Sequence, residues 1–365
     1  MSRTVSSLPA EPVTQYAKPA EPAVQQRRSA PFDLLRVMAC LAVILLHLAA
    51  TIVRDREFLG TAAWHLSNAI NAATAWCVPV FIMLSGALLL NPEKHGPFDR
   101  FGARRLHRVL PAIIVWPAVY LAWRAFYWHE SLSAGVVLHD LLRGQPYIHL
   151  YFLFIIAGLY LVTPFLVTAL GRFSRGDLRN VILLITVLAV ADGLLATGYG
   201  PFSSSLFSMF IPYLAYYLAG WYCVQAPRLN PRPLTIVFLL AAILTTLTTA
   251  LLVAHLGFES RWAFSFYGSF SPTVMVMSVT VFLLILQGEI PTRLGSLARQ
   301  AAPLTFGVYL AHPIVVELLR YGYFHTMPSL LAPPFYIPVT LILTCLLTFP
   351  LIALMQRIPG LRRII

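Results

Sequence analysis

From Leu34 to the C-terminal end, the chain is built of apolar runs about twenty residues long, the length a helix rising about 1.5 Å per residue needs to cross a bilayer. The runs fall near 34–53, 68–90, 109–127, 149–169, 180–197, 206–223, 234–254, 265–286, 303–319 and 334–354. Only 11% of residues are charged and 58% are hydrophobic, whereas an ordinary soluble domain carries about a quarter charged residues. A fold in water could not hide so much apolar surface. The expected fold is an all-α integral membrane protein, a bundle of about ten transmembrane helices.

A formal net charge of +12 would suit nucleic acid if it were clustered on one soluble face. Its distribution favours a membrane surface instead. Arg27, Arg28, Lys94, Arg100, Arg104, Arg105, Arg108, Arg172, Arg175, Arg179, Arg228, Arg232, Arg293, Arg299, Arg357, Arg362 and Arg363 fall in connections on one side of the expected spans. Arg54, Arg56, Arg143, Arg261 and Arg320 fall on the other. By the positive-inside bias the richer side is cytoplasmic, and an even number of spans puts both termini there. Membrane lipid is the implied partner, and nucleic acid is not.

Residues 1–31, rich in Pro, Ala, Gln, Ser and Glu, read as a disordered cytoplasmic tail. The first apolar run is too long for a signal-peptide core and reads as an uncleaved anchor. Residues 32–356 form the membrane domain and 357–365 a short basic cytoplasmic tail. The longest outer connection, from Tyr127 to Ile148, carries Trp128, His129, Glu130, His139, Asp140 and Arg143. It reads either as the rim of an outer opening or as an interfacial loop with aromatic anchors. Cys40, Cys77, Cys223 and Cys345 have no metal-like spacing and read as small buried hydrophobes.

An ionisable group inside a span is expensive and marks a candidate site. The first span contains Asp33, Arg36 and His47. Eleven positions at about 100° each bring Arg36 and His47 to one helix face about 16 Å apart, with Asp33 a turn from Arg36. The spacing suits two readings: a catalytic imidazole reached through a channel, or an interfacial ion pair plus a histidine bonded to another helix. Arg104, Arg105 and Arg108 begin the third span as a guanidinium cluster, fit either for the phosphates of a nucleotide or for anionic lipid. Four weaker features follow. Ser85 precedes Gly86, where helices can approach closely. His149 and Tyr151 open the fourth span. Tyr309 leads to His312 at Pro313, where the imidazole can satisfy a carbonyl that proline frees. Glu317 lies five positions after His312. A carrier or flippase for a lipid-linked sugar would also need buried polar groups, although no repeat symmetry is evident.

These motifs resemble the membrane-bound acyltransferase family 3, the O-acyltransferases of bacterial surface glycans. Arg36 followed by ten residues and His47 resembles its first signature, and Arg105-Leu106-His107-Arg108 its second. Support comes from Val78-Pro79-Val80-Phe81, Leu84-Ser85-Gly86, His149-Leu150-Tyr151-Phe152-Leu153, Tyr160-Leu161-Val162-Thr163-Pro164 and Phe306-Gly307-Val308-Tyr309-Leu310-Ala311-His312-Pro313. The nearest likeness is to the branch that includes the O-acetyltransferase of enterobacterial common antigen, from which the chain departs where Tyr151 replaces a usual tryptophan. The resemblance implies transfer of an acyl group, usually acetyl, from cytoplasmic acyl-CoA to a sugar hydroxyl of a surface polysaccharide or lipid-linked glycan. The setting would be a bacterial inner membrane. Acyl-CoA is then a substrate, and no metal or resident cofactor is implied. Arg104, Arg105 and Arg108 would hold the donor's phosphates. His47 would act as general base or carry a transient acyl group, Arg36 would orient the donor or stabilise developing charge, and Asp33 would hold Arg36. Ser85, His149, Tyr151, Tyr309, His312 and Glu317 remain candidates for the acceptor or a secondary site.

Overall fold

The computed structural model describes the backbone of residues 22–91, 98–200, 205–326 and 333–365, and the side chains of 30–91, 109–200, 205–322 and 335–365. Over these residues the chain is all-α. In order, the helices are α1 Pro22–Val53, α2 Ala62–Thr74, α3 Cys77–Leu89, α4 Phe98–Phe126, α5 Ala134–Leu142, α6 Tyr151–Leu170 and α7 Arg175–Tyr199. Then come α8 Leu214–Val224, α9 Pro231–Leu256, α10 Pro272–Gln287, α11 Thr292–Ala301, α12 Thr305–Thr326 and α13 Pro333–Met355. Of the expected N-terminal tail, residues 1–21 lie outside the described residues, and α1 already starts at Pro22 and carries Pro31 within it.

Among the described residues, nine helical units are long and apolar enough to cross a membrane. Three are composite: α2 and α3 run together as Ala62–Leu89, a 3-10 helix at Ser265–Tyr267 leads into α10 as Ser265–Gln287, and α11 leads into α12 as Thr292–Gly322. The expected span at 206–223 is not a continuous helix. Turns occupy 206–213 and only Leu214–Val224 is helical. Local polar groups explain the break. Pro212 has no N–H to donate, and the Ser208 hydroxyl captures the Ser205 N–H at 3.1 Å while the Ser205 hydroxyl takes that of Phe207 at 3.3 Å.

The bundle sorts its surfaces as lipid requires. Leu183, Leu184, Val187 and Leu188 of α7 are exposed, as are Leu240, Ile243, Leu244 and Leu247 of α9 and Leu346, Leu347 and Leu354 of α13. Continuous apolar faces of this kind would aggregate in water. Inside, helices are tied by polar contacts: Thr245 donates to Thr273 at 2.7 Å, Thr163 and Tyr217 share a hydrogen bond of 2.7 Å, and Tyr267 donates to the buried Asn68 at 2.6 Å. The tightest approach joins α3 to α8. A Cβ at Gly86 would stand 1.8 Å from the Tyr217 carbonyl oxygen, and one at Gly220 would stand 1.8 Å from that of Met83. Both glycines are needed for the two backbones to touch. The cysteines are free; Cys40, Cys77 and Cys223 are buried and Cys345 is partly so.

The 127–148 connection is ordered by Arg124, which donates to Glu130 at 2.8 Å, to Asp140 at 2.7 Å and to the Pro146 carbonyl at 3.1 Å. Partial burial pushes the Asp140 carboxyl up, but its bonds to Arg124 and His139 outweigh this and hold it below the ordinary carboxylate range. Glu317 of α12 ties the same connection from below. Its carboxylate accepts from Trp123 Nε1 at 2.6 Å, from Trp128 Nε1 at 3.1 Å and from the Tyr147 hydroxyl, while its backbone carbonyl accepts from Tyr127 at 3.1 Å. Burial and the neighbouring Glu317 carboxylate push the Tyr147 hydroxyl up, so it remains a donor. Glu317→Gln replaces charge-assisted bonds by weaker ones and turns an amide toward donors. It should destabilise the protein by about 2 kcal/mol and open 127–148 to protease, measured by thermal unfolding in detergent and by mapping the cleavage sites.

Candidate functional site

The site grows from three helices and one loop. In α1, Arg36 Nη1 bonds Asp33 Oδ1 at 2.9 Å, the pairing expected one turn apart. Further along α1, the half-buried His47 points its ring into the bundle, with its centroid 5.2 Å from that of His312. The His47 ring makes no hydrogen bond to any described residue, so the sequence alternative in which it ties two helices together does not describe it. His312 arises from a local consequence of proline. Pro313 cannot donate to the Tyr309 carbonyl, and His312 Nδ1 meets that oxygen at 2.8 Å. His149, just before α6, faces the Leu310 carbonyl through Nε2 at 3.3 Å.

These groups form one ring-to-ring seam. His312 and His149 are 5.6 Å apart between centroids, and both are buried. Tyr309 stands 5.4 Å from His149 and 6.0 Å from His312, and its hydroxyl donates to the His149 carbonyl. On the other flank Tyr147 lies 5.9 Å from His149, and Tyr120 lies 4.8 Å from it. Among the described residues no group of three His, Cys, Asp or Glu could hold a metal ion.

Two cavities approach this seam. The larger, about 1490 Å³, is lined by Arg36, Ser85, Phe152, Tyr309, Arg362 and Arg363 among others. The smaller, about 860 Å³, is lined by Gln145, Tyr147, Tyr151, Asp192, Tyr213 and Phe270 among others. They open toward opposite ends of the bundle. The 127–148 connection joins the end of α4 to the start of α6, and the smaller cavity sits there. The larger runs past Val109 at the other end of the α4 span and beside the segment after α13. Tyr309 belongs to the wall of one and Tyr147 to the wall of the other, and His149, which touches both rings, lies between them.

The structure thus brings together His47, His149, Tyr309 and His312, while Arg36, bonded to Asp33, shares only the larger cavity's wall with Tyr309, and Glu317 is reached through Tyr147. Ser85 lines the larger cavity and bonds back to the Phe81 carbonyl at 3.0 Å. Tyr151 faces the smaller cavity. The side chains of Arg104, Arg105 and Arg108 lie outside the described residues, although α4 carries their backbone. Three lining groups escaped the sequence reading. Arg362 and Arg363 looked like topology signals, but the C-terminal segment folds back, with Trp116 Nε1 bonding the Ile364 carbonyl at 2.8 Å, and sets both at the larger cavity. Asp192 was visible as a carboxylate within the apolar α7. Seven residues from Tyr199, it sits about 10 Å inside that end of the helix, where a charge needs a polar cavity.

A membrane bundle with a guanidinium-lined cavity whose wall includes Tyr309, next to His149 and His312, suits an anionic donor held near a base, and the comparison with known proteins decides between that and a carrier. The acyltransferase domain of family 3 matches residues 30–353, nearly the whole chain. The chain belongs to acyltransferase family 3. As a family 3 member it is an acyltransferase enzyme, and the carrier reading is set aside. No curated protein and no solved structure matches it.

Proposed function

We propose that this family 3 enzyme moves an acyl group, acetyl first among candidates, from cytoplasmic acyl-CoA to a sugar hydroxyl of a surface glycan or its lipid-linked precursor at a bacterial inner membrane. The single observation that carries this reading is the cavity of about 1490 Å³ with Arg36, Arg362 and Arg363 on its wall and Tyr309 beside the histidine seam. We place both termini in the cytoplasm. The basic loops support this, as does one cavity touching both Arg36 near the start of α1 and Arg363 after α13. The turn-rich 206–213 segment and α8 then complete the remaining crossing.

The donor's phosphates bind the guanidinium groups of Arg362 and Arg363, with Arg104, Arg105 and Arg108 as further ligands. Arg36, held by Asp33, orients the donor; at about 16 Å along α1 from His47 it is too distant to act on the reacting carbonyl. The thioester lies toward Tyr309. The acceptor enters the opposite cavity, where Asp192 and Gln145 bind hydroxyls and Tyr213 and Phe270 give apolar faces for a sugar ring. His47 takes the hydroxyl proton as the oxygen attacks the thioester carbonyl carbon, the C–S bond breaks, and the departing thiolate takes that proton from His47, which ends neutral. The likeness to the enterobacterial-common-antigen branch favours acetyl as the group, while Tyr151 on the acceptor cavity marks where a different glycan would be selected.

Transfer of radiolabel from acetyl-CoA to the glycan fraction of membranes, with and without the protein, tests the reading; no protein-dependent transfer from any acyl-CoA would overturn it. The paired change Arg362→Ala with Arg363→Ala should raise the acyl-CoA KM about tenfold, equivalent to roughly 1.4 kcal/mol, and leave kcat nearly unchanged in steady-state assays. Asp192→Asn should leave the acyl-CoA KM unaltered and weaken the acceptor instead, several-fold, in assays at varied acceptor concentration.

A further inference from the structure

The larger cavity takes much of its wall from α3, α6 and α12, and the contacts of these helices fix which way each one runs. α6 starts at the 127–148 connection and leads away from it. α12 starts beside α1, where Cys40 Sγ, one turn from Arg36, meets the Thr305 carbonyl at 3.6 Å, and it leads to Glu317 under the same connection. The Ala62–Leu89 unit follows α1 and crosses back, so α3 ends on the side of Arg36. On each helix the lining residue farthest from the arginine end is aromatic: Phe81 on α3, Phe152 on α6 and Tyr309 on α12.

These three rings meet one another. Phe81 lies 5.9 Å from Phe152 and 6.2 Å from Tyr309 between centroids, and Phe152 lies 5.3 Å from Tyr309. Tyr309 is pinned, since its hydroxyl donates to the His149 carbonyl. Packed rings are common in cores, but two observations set these apart. All three border the cavity of about 1490 Å³, and Phe81 is only half-buried although it stands inside the bundle. The other observation is depth. α3 lines the cavity from Phe81 to Leu89 and α6 from Phe152 to Tyr160, each a run of about 12 Å at about 1.5 Å per residue. The pantetheine arm of CoA has as many backbone bonds as about four extended residues and reaches about 14 Å. With the phosphates at Arg362 and Arg363, the arm takes up this depth and brings its sulfur to the rings.

We infer that Phe81, Phe152 and Tyr309 close the inner end of the donor cavity as an acyl-binding subsite and limit the transferred group to a short chain. The inference rests on the acyl-CoA reading above and names the donor class within it, short-chain acyl-CoA. The rings offer the acyl group an apolar surface that suits a methyl end. A longer chain has to displace the buried Phe152 or the pinned Tyr309, and each methylene without room lowers kcat/KM by about ten- to two-hundredfold.

The test uses the full chain in lipid nanodiscs and follows thiol release from acetyl-CoA and hexanoyl-CoA, with water and excess glucose as probe acceptors. The wild type should favour acetyl-CoA by at least about a hundredfold in kcat/KM. Phe152→Ala and Phe81→Ala each open the cavity end and should narrow that preference by about tenfold or more. Rings that only pack the core would slow both donors alike, so an unchanged ratio in the folded variants overturns the inference. A wild type that uses hexanoyl-CoA as well as acetyl-CoA also overturns it. If neither variant folds, the wild-type series from acetyl-CoA to octanoyl-CoA decides: a steep fall with chain length supports a closed end, and a flat profile overturns it. In all these outcomes acyl-CoA is still consumed, so the functional reading stands. A wild type that releases no thiol from acyl-CoA of any chain length overturns that reading, and the subsite with it.

Discussion

His47→Ala should reduce acyl transfer from acyl-CoA by roughly a hundred- to ten-thousandfold, the range over which a positioned base contributes. The protein should nonetheless fold. The His47 ring bonds no described residue, so its removal breaks no hydrogen bond among the described residues; its neighbour His312 remains fixed by the Tyr309 carbonyl. The loss should appear in kcat, because the proposed phosphate site at the arginines lies far from His47, and binding of acyl-CoA by equilibrium dialysis should match the wild type. Normal turnover in this variant would remove His47 from the chemistry.

Gly220→Leu is expected to have the largest effect on folding. The new Cβ would overlap backbone atoms of α3, at 1.8 Å from the Met83 carbonyl oxygen and 2.5 Å from its carbon. Backbone cannot step aside as a flexible side chain can. α8 must therefore move off α3, exposing the facing contact at Gly86 and Tyr217 as well. The cost should exceed about 3 kcal/mol, the upper part of the range for overpacking, and little monodisperse protein should be recovered by size-exclusion chromatography. Gly176→Ala is the control. Its added methyl meets only the Ser174 hydroxyl at an ordinary 3.6 Å, so yield should be unaffected.

Much of this architecture is legible in the sequence because lipid imposes a simple length and polarity rule. Asp33, Arg36 and His47 could be placed on one helix by arithmetic, and Pro313 announced a free carbonyl that His312 meets. The segment 206–223 misled because hydropathy averages over Pro212 and the serine hydroxyls, which break the helix without lowering its apolar content. The seam itself could not be read. His47, His149 and His312 come from distant positions, and only packing brings them together. Arg362 and Arg363 were hidden for the same reason, since a basic end signals topology whether or not it folds back over a cavity. Asp192 differs: one carboxylate in an otherwise apolar span was a readable signal.

The central claim is that acyl-CoA enters the cavity beside Arg36, Arg362 and Arg363 and delivers its thioester to the histidine seam. A photoreactive acyl-CoA, cross-linked to the enzyme in nanodiscs and mapped by peptide mass spectrometry, tests it most directly. The account predicts saturable labelling, competed by acetyl-CoA, on peptides of α1, α6 or α12 that carry His47, Phe152 or Tyr309. Labelling confined to the lipid-facing residues of α7, α9 and α13, or labelling that acetyl-CoA does not compete, would contradict it.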